Sequence, residues 1–510
     1  MSSPISSSSK SQGDLIQGNN SGKKLTSDFN YNLNKIKEAF CYPSNVDLII
    51  RELEIKAINR YAVVIFLFGM VDDDSIQRHV IEPLLKQTFA NNSQNIGDAL
   101  IQRILSVKNT SKVDSFKDVE NRIINGETVI LIQGYSEAVT LATTGYETRG
   151  VEKPTVENSI RGPKESFSES EVINRSLIRK HLRYTKLVTE SLVLENKSFT
   201  EIYFMYIKDL TDPELVNEIK NRIRKIKTDN IEVLSQIEQF IEDRPYSLVP
   251  TLLMTERPDR TVGFLKEGHV AVFMDGTPYA LIAPVTFWAF FHTSEDMYQR
   301  WAYGNFIRLI RIIAIFIALL TPGIYIALTN YHVDMIPTDL VLAIAASRER
   351  MPFPVFLEVM LMEISFEILR EAGVRIPTPI GPTIGIVGAL ILGQAAVEAN
   401  IVSPILVIIV AITGLSAFAI PENSLGYMIR VSRFLFLFSG MLIGFYGIAA
   451  CFMAGLGYMI SLESFGVPFL SPVTPQFKSS KDTLFRQPVW KMWLRPFNIS
   501  PQDKVKKKPD

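Results

Sequence analysis

Between Lys266 and Lys478 the chain contains no lysine, and that stretch holds several runs near the ~20 apolar residues needed to cross a ~30 Å hydrocarbon core. They are "NFIRLIRIIAIFIALLTPGIYIAL" (305–328), "IGIVGALILGQAAV" (384–397), "IVSPILVIIVAITGLSAFAI" (401–420) and "FLFLFSGMLIGFYGIAACFMAGLGYMI" (434–460). Before about residue 300 the pattern is polar and lysine-rich, so the 47% hydrophobic content averages two different proteins. The expected fold class is an α/β or α+β soluble N-terminal region of two subdomains followed by an all-α polytopic membrane domain. About four or five transmembrane helices plus one amphipathic helix fit the apolar runs. Arg308 and Arg311 at one end of the first run mark that end as cytoplasmic, and Arg430 and Arg433 precede the last run, which is long enough to span with tilt.

The expected divisions are a disordered tail (1–30), subdomain 1 (31–150), subdomain 2 (151–300), a transmembrane domain (301–470) and a basic cytoplasmic tail (471–510). Residues 1–30 are rich in Ser, Gly and Asn and lack the apolar run of a signal peptide, which keeps the N-terminal region in the cytoplasm. "YAVVIFLFGMVDDD" (61–74), "ETVILIQG" and "AVTLATT" read as strands. A helix is expected at 169–195, the strand "EIYFMYI" after it, and helices at 213–227 and 230–242. In "HVAVFMDGTPYALIA" (269–283), Asp275-Gly276 between two apolar runs predicts a tight hairpin with positive φ at both residues. No internal repeat is visible. Cys41 and Cys451 lie in different regions, so no disulfide framework is expected. Equal totals of 53 basic and 53 acidic residues argue against nucleic acid as a partner, while the tail ending "DKVKKKPD" suits membrane lipids of negative charge.

One segment breaks the apolar pattern. "MPFPVFLEVMLMEISFEILREAG" (351–373) carries Glu358, Glu363, Glu367 and Glu371. Pro352 and Pro354 suit a helix start and Gly373 a stop, giving about 19 residues and ~28 Å at ~1.5 Å each. At ~100° per residue Glu363, Glu367 and Arg370 share a stripe with Phe356, Val359 and Met360, while Glu358 points away. Lipid exposure would cost each charge ~3 kcal/mol or more, so the stripe must face protein or water. Three arrangements satisfy this: a ring of such helices around a pore, with the carboxylates attracting cations and the apolar residues gating; a Glu367 pair with Arg370 or Arg375 that only holds packing; or a helix lying in the headgroups. In "GVRIPTPIGPT", Gly373, Pro377, Pro379, Gly381 and Pro382 form a candidate hinge. Arg348 and Arg350 in "RERM" suit a solvated loop or a lipid phosphate. The five histidines lack metal-ligand spacing and no catalytic constellation accompanies them, so no metal, no cofactor and no enzyme activity is expected.

The stretches "SIRGPKESFSESEVINRSLIRKHL", "YSLVPTLLMTERPDRTVGFLKEGHVAVFMDGTPYALIAP", "HTSEDMYQRW", the long run 335–397 and "SFGVPFLSPVTP" closely resemble, in consistent order, the A subunits of GerA-type spore germination receptors. That resemblance implies a nutrient-receptor subunit in the inner spore membrane, multi-pass, with its N-terminal region on the core side. It implies a transporter-like B subunit and a lipoprotein C subunit as partners, and self-association into a homo-oligomer, a pentamer, that releases monovalent cations when the nutrient binds. The alternatives are an accessory A-like protein of the dipicolinic acid release machinery and a stand-alone secondary transporter. A transporter should show paired repeats, which the unequal apolar runs do not.

Overall fold

A computed structural model describes residues 22–56, 58–86, 101, 105–107, 109–145, 153–154, 157, 159–195, 197–375, 393–477 and 482–506. The chain divides into two compact units: Met1–Pro154 with Lys164–Ile237 and Thr255–Leu281, and Thr155–Pro163 with Glu238–Met254 and Ile282–Asp510.

Residues 48–283 hold two five-stranded sheets. One contains β1 (Leu48–Ile55), β2 (Arg60–Leu67), β3 (Thr110–Val113), β4 (Thr128–Ile132) and β5 (Ala138–Leu141), in the order β1-β2-β4-β5-β3. β6 (Leu187–Val193), β7 (Glu201–Ile207), β8 (Leu253–Thr255), β9 (Val270–Met274) and β10 (Ala280–Ala283) form the other, in the order β6-β7-β9-β10-β8. Helices occupy matching places: α1 (Phe29–Ala39) before β1, a helical stretch α2 (73–86) after β2 and α3 (Phe116–Ile124) after β3. In the second half the equivalents are α4 (Glu171–His181), α5 (Pro213–Arg224) with α6 (Leu234–Ile241), and α7 (Pro258–Leu265). The connectivity is therefore duplicated. The sequence hides it because the repeat lies in the order of apolar faces and not in residue identity.

The strand "RYAVVIFL" reads as an almost continuous apolar run because the first sheet is covered on both faces. Val64 and Phe66 enter one core with Ile76, Val80 and Ile130, while Val63, Ile65 and Leu67 enter another with Ile36, Phe116 and Val119. Asp28, Asp72, Ser115 and Asp212 accept from first-turn amides and so start their helices. The expected helix at 169–195 ends at His181, where basic side chains crowd the last turn, and β-branched residues carry the chain on as β6. In the β9–β10 link only Gly276 has positive φ, and five residues intervene. The Asp275 side chain accepts a hydrogen bond from the Glu171 amide at 3.3 Å.

The second unit is mainly helical. After α8 (Phe287–Phe291) and α9 (Ser294–Tyr298) come α10 (Trp301–Tyr331), α11 (Thr338–Arg348), α12 (Val355–Arg375), α13 (Pro404–Phe418), α14 (Asn423–Ile443) and α15 (Phe445–Ile460). Among the described residues two helices, α10 and α14, are long and apolar enough to cross a membrane, and α13 and α15 are shorter apolar helices. The expected four to five crossings therefore need the shorter helices, or residues outside the described ones such as most of 384–397. Two expectations are corrected. The apolar run 434–460 is broken at Gly444, whose φ of 67° and ψ of −140° suit glycine alone, so Arg430 and Arg433 lie inside α14 and do not flank a span. Gly373 does not stop α12, which continues to Arg375.

Candidate functional site

α12 begins directly after Pro354, whose carbonyl accepts from the amides of Leu357 and Glu358. Its inward stripe enters an apolar core shared with α10, α13 and α14. Val355, Val359 and Met362 are buried there with Tyr325, Ile326, Leu406, Val410 and Leu437, and Phe356, Met360 and Phe366 pack against them. The ring of Phe356 meets that of Phe438 at 5.3 Å. Gly414 on α13 admits the Phe366 ring, since a β-carbon there would lie 2.4 Å from it.

Two glutamates of the same stripe lie in this apolar setting. Glu363 is fully buried, and the equally buried Arg433 of α14 reaches it at 2.9 Å, at an angle that leaves neither carboxylate oxygen hydrogen-bonded. One turn on, Glu367 accepts from Arg433 at 2.7 Å and from Arg430 at 3.0 Å. The spacing explains the match: carboxylates four apart on α12 face arginines three apart on α14. Removing either partner of such a buried pair costs about 3–5 kcal/mol, because the other charge is left uncompensated. Arg370 does not join the carboxylates by hydrogen bonding. Its guanidinium lies 4.5 Å from the Phe418 ring centroid, and its Nε and Nη2 lack hydrogen-bond partners.

Glu358 is buried on another flank of α12, 3.5 Å from Arg348, and accepts from the Ser403 amide at 3.3 Å. Ser403 in turn caps α13. Arg348 is thus neither a solvated loop residue nor turned to lipid. The stripe left outward is apolar through most of its length, with Leu357, Leu361, Ile364 and Ile368 exposed, and exposed Glu371 continues it at the same spacing. Of the candidate hinge, Gly373 lies in α12, and Pro377, Pro379, Gly381 and Pro382 are outside the described residues.

A second ionic cluster sits at the start of α10. Arg308 and Arg311, expected to meet the aqueous interface, are buried: Arg308 pairs with Asp296 at 3.1 Å and with Asp482 at 2.5 Å, and Arg311 with Asp296 at 3.2 Å. Burial pushes the Asp296 carboxyl up, but Arg311 and Arg308 outweigh it and hold it below the usual range. In the first unit the buried Asp47 accepts from Arg179 at 2.7 Å and Thr189 at 2.6 Å, and also from Arg175. It joins the segment before β1 to α4 and β6. Sequence reading missed all these partners. The available signal was that arginines within apolar helices must find acids once removed from water. No group of His, Cys, Asp or Glu suited to a metal occurs among the described residues.

Residues 34–498 match the family model of the Bacillus/Clostridium GerA spore germination protein. The chain belongs to the GerA family. It is 40% identical over 470 residues to spore germination protein KA of Bacillus subtilis (strain 168), covering 92% of this chain and 86% of that protein. To spore germination protein GerLA of Bacillus cereus it is 37% identical over 458 residues, covering 90% of this chain and 93% of that one. It is also 40% identical over 439 residues to the uncharacterized membrane protein YfkQ of Bacillus subtilis (strain 168), covering 86% of this chain and 85% of that one. Among solved structures it is similar to the crystal structure of the N-terminal domain of the A subunit of the Bacillus megaterium spore germinant receptor GerK3. The TM-score is 0.41 at 29% identity, over 52% of this chain and 98% of that one. Membership of this family carries a role in spore germination.

Proposed function

We propose that this GerA protein is the A-type membrane subunit of a nutrient germinant receptor in the inner spore membrane. It works there as a homo-oligomer, with a B and a C subunit, to release cations when nutrient binds. Within this reading the parts 31–150, 151–300, 301–470 and 471–510 are kept, with the N-terminal region on the core side, while the expected 1–30 tail gives way to ordered chain at the buried Leu25 and at α1, which begins at Phe29. The observation that carries the proposal is the pair of carboxylates, Glu363 and Glu367, held by Arg433 and Arg430 between apolar helices. A membrane helix that serves only as an anchor gains nothing from ions whose desolvation is costly.

The mechanism follows from charge balance. With the arginines seated, the carboxylates are neutralised, Val359 is buried and the half-buried Phe356 and Met360 pack beside it, which is the closed arrangement in this scheme. Moving α12 against α14 would part the ions. The freed carboxylates then attract monovalent cations, and water enters beside the apolar residues. Pro377, Pro379, Gly381 and Pro382, with Gly373, supply the hinge in this scheme.

The test is potassium release from spores carrying Glu363→Gln or Glu367→Gln, triggered with the cognate nutrient and compared at equal protein abundance. Altered rate or ion preference is expected. Unchanged release from both variants would remove α12 from the conduction path. The family resemblance leaves a second reading: an accessory GerA-type protein of dipicolinic acid release. Spores lacking the chain would then release potassium normally on nutrient and be slow only in dipicolinic acid release.

A further inference from the structure

The segment 484–493, "LFRQPVWKMW", is fixed to the first turn of α10. The Asn305 side chain brackets the Arg486 backbone, accepting from its amide at 2.8 Å and donating to its carbonyl at 3.0 Å. Trp301 Nε1 donates to the same carbonyl at 2.7 Å. The Arg486 side chain is buried and donates to the Gln299 carbonyl at 3.3 Å, so the attachment is made on three sides. What this anchored segment turns outward is apolar: Trp490 is 73% exposed, Val489 64% and Phe485 53%, with Leu484 and Trp493 also open. Met297 and Tyr298 of α9 and Trp301, Tyr303 and Phe306 at the start of α10 are exposed as well. Exposed Lys491 and Lys504 lie in the same C-terminal stretch, and residues 482–510 carry a net charge of +4.

The depth of this surface follows from α10. Because Arg308 and Arg311 are turned inward and paired, the outward apolar face of the helix begins at Phe306, Leu309 and Ile310. Trp301 lies five residues earlier, about 8 Å at the helical rise. A headgroup layer is about 5–8 Å thick on each side of the hydrocarbon core. An attachment point at that level carrying tryptophans and lysines has the composition of a membrane interface, where indoles sit among headgroups and ammonium groups meet lipid phosphates.

We infer that segment 484–493 lies on the bilayer surface beside the first turn of α10. Phe485, Val489, Trp490 and Trp493 enter the headgroup layer, and Lys491 and Lys504 draw anionic lipid. The inference rests on the membrane reading of α10, and it makes the C-terminal stretch a collar that sets the depth of that helix.

The chain has four tryptophans, Trp288, Trp301, Trp490 and Trp493. The full chain is reconstituted in vesicles of phosphatidylcholine with or without phosphatidylglycerol. Its tryptophan emission is then measured with lipids brominated near the headgroup, and separately with iodide in the water. The difference between the native chain and W490F/W493F reports the two collar indoles. They are expected to lose at least half of their emission to shallow bromines and little to iodide, with the loss larger when phosphatidylglycerol is present and the gain removed by K491A/K504A. Emission open to iodide and untouched by bromine, or shielded from both by a second protein surface, overturns the inference. Shallow quenching that ignores phosphatidylglycerol overturns its lipid-charge part. Vesicle flotation after alkaline washing separates the two levels of failure. A chain that does not float overturns the membrane reading, whereas one that floats with unquenched collar indoles overturns this inference alone.

Discussion

Arg433 is the residue on which the membrane charges depend, since it touches both Glu363 and Glu367. Arg433→Ala is expected to lower the stability of the detergent-solubilised chain by about 3–5 kcal/mol, read as a fall in thermal midpoint. Adding Glu363→Gln should recover part of that loss, because one uncompensated charge is then gone; a strictly additive double variant would argue that the pair is not coupled. A different residue sets the response to pH. Glu238, on α6, is pushed up to about 8, first by burial and then by the neighbouring charges of Glu242 and Glu422. Its folded pKa is thus above the ordinary carboxylate value near 4.5. Below that value the group is protonated in both folded and unfolded states and exerts no effect; between it and about 8 folding takes up a proton, so stability falls as pH rises. Glu238→Gln should therefore flatten the decline between about pH 4.5 and 8 and raise the thermal midpoint most at the alkaline end. An unaltered profile would place the titration elsewhere. Asp47 has the opposite sign. Burial raises its pKa, but Arg179 and Arg175 override it, so its contribution is present at neutral pH and lost on acidification.

At the level of elements, two glycines let α10 and α14 approach backbone to backbone. A β-carbon on Gly440 of α14 would lie 2.7 Å from the Gly323 carbonyl oxygen of α10, and one on Gly323 would lie 2.8 Å from the Phe436 carbonyl oxygen. Backbone cannot yield as a side-chain tip does, so Gly440→Leu is expected to separate the helices and cost about 1–3 kcal/mol, with a lower thermal midpoint than the native chain. This contact was not legible in the sequence, because a glycine in an apolar run signals neither a partner nor a crossing point. Other elements were legible to different degrees, for physical reasons. β2, β4, β5 and β7 stand out because each is a short β-branched or aromatic run bounded by turn residues. β1 and β3 do not, since "LIIRELEI" mixes charges into its pattern and "TSKV" is a half-buried edge. The α12 stripe could be drawn from the 100° period alone, and its six candidate residues do share one flank. Its partners could not, because Arg430 and Arg433 lie some sixty residues away and match the charges that mark the aqueous end of a span.

For the whole molecule, the outward face of α12 decides between two arrangements. Leu357, Leu361, Ile364 and Ile368 repeat at helical spacing and are exposed in the single chain, opposite the stripe that holds Glu363 and Glu367. Apolar groups facing lipid satisfy the membrane equally well as apolar groups facing a neighbouring copy, so hydrophobicity does not choose between them. The channel reading does choose, because helices that ring one axis must approach their counterparts in adjacent subunits. Ile364→Cys in a chain whose partly exposed Cys451 is changed to Ser should therefore yield covalent dimers on mild oxidation in spore membranes. Cys41 is buried and remains as an internal control that should not cross-link. Efficient dimer formation with Ile364→Cys, and none with Leu435→Cys on the exposed side of α14, would locate the contact on α12. Dimers absent from Ile364→Cys under conditions where the protein migrates as an oligomer would turn this stripe to lipid. The Glu363–Arg433 pair would then be a device for packing helices within one subunit.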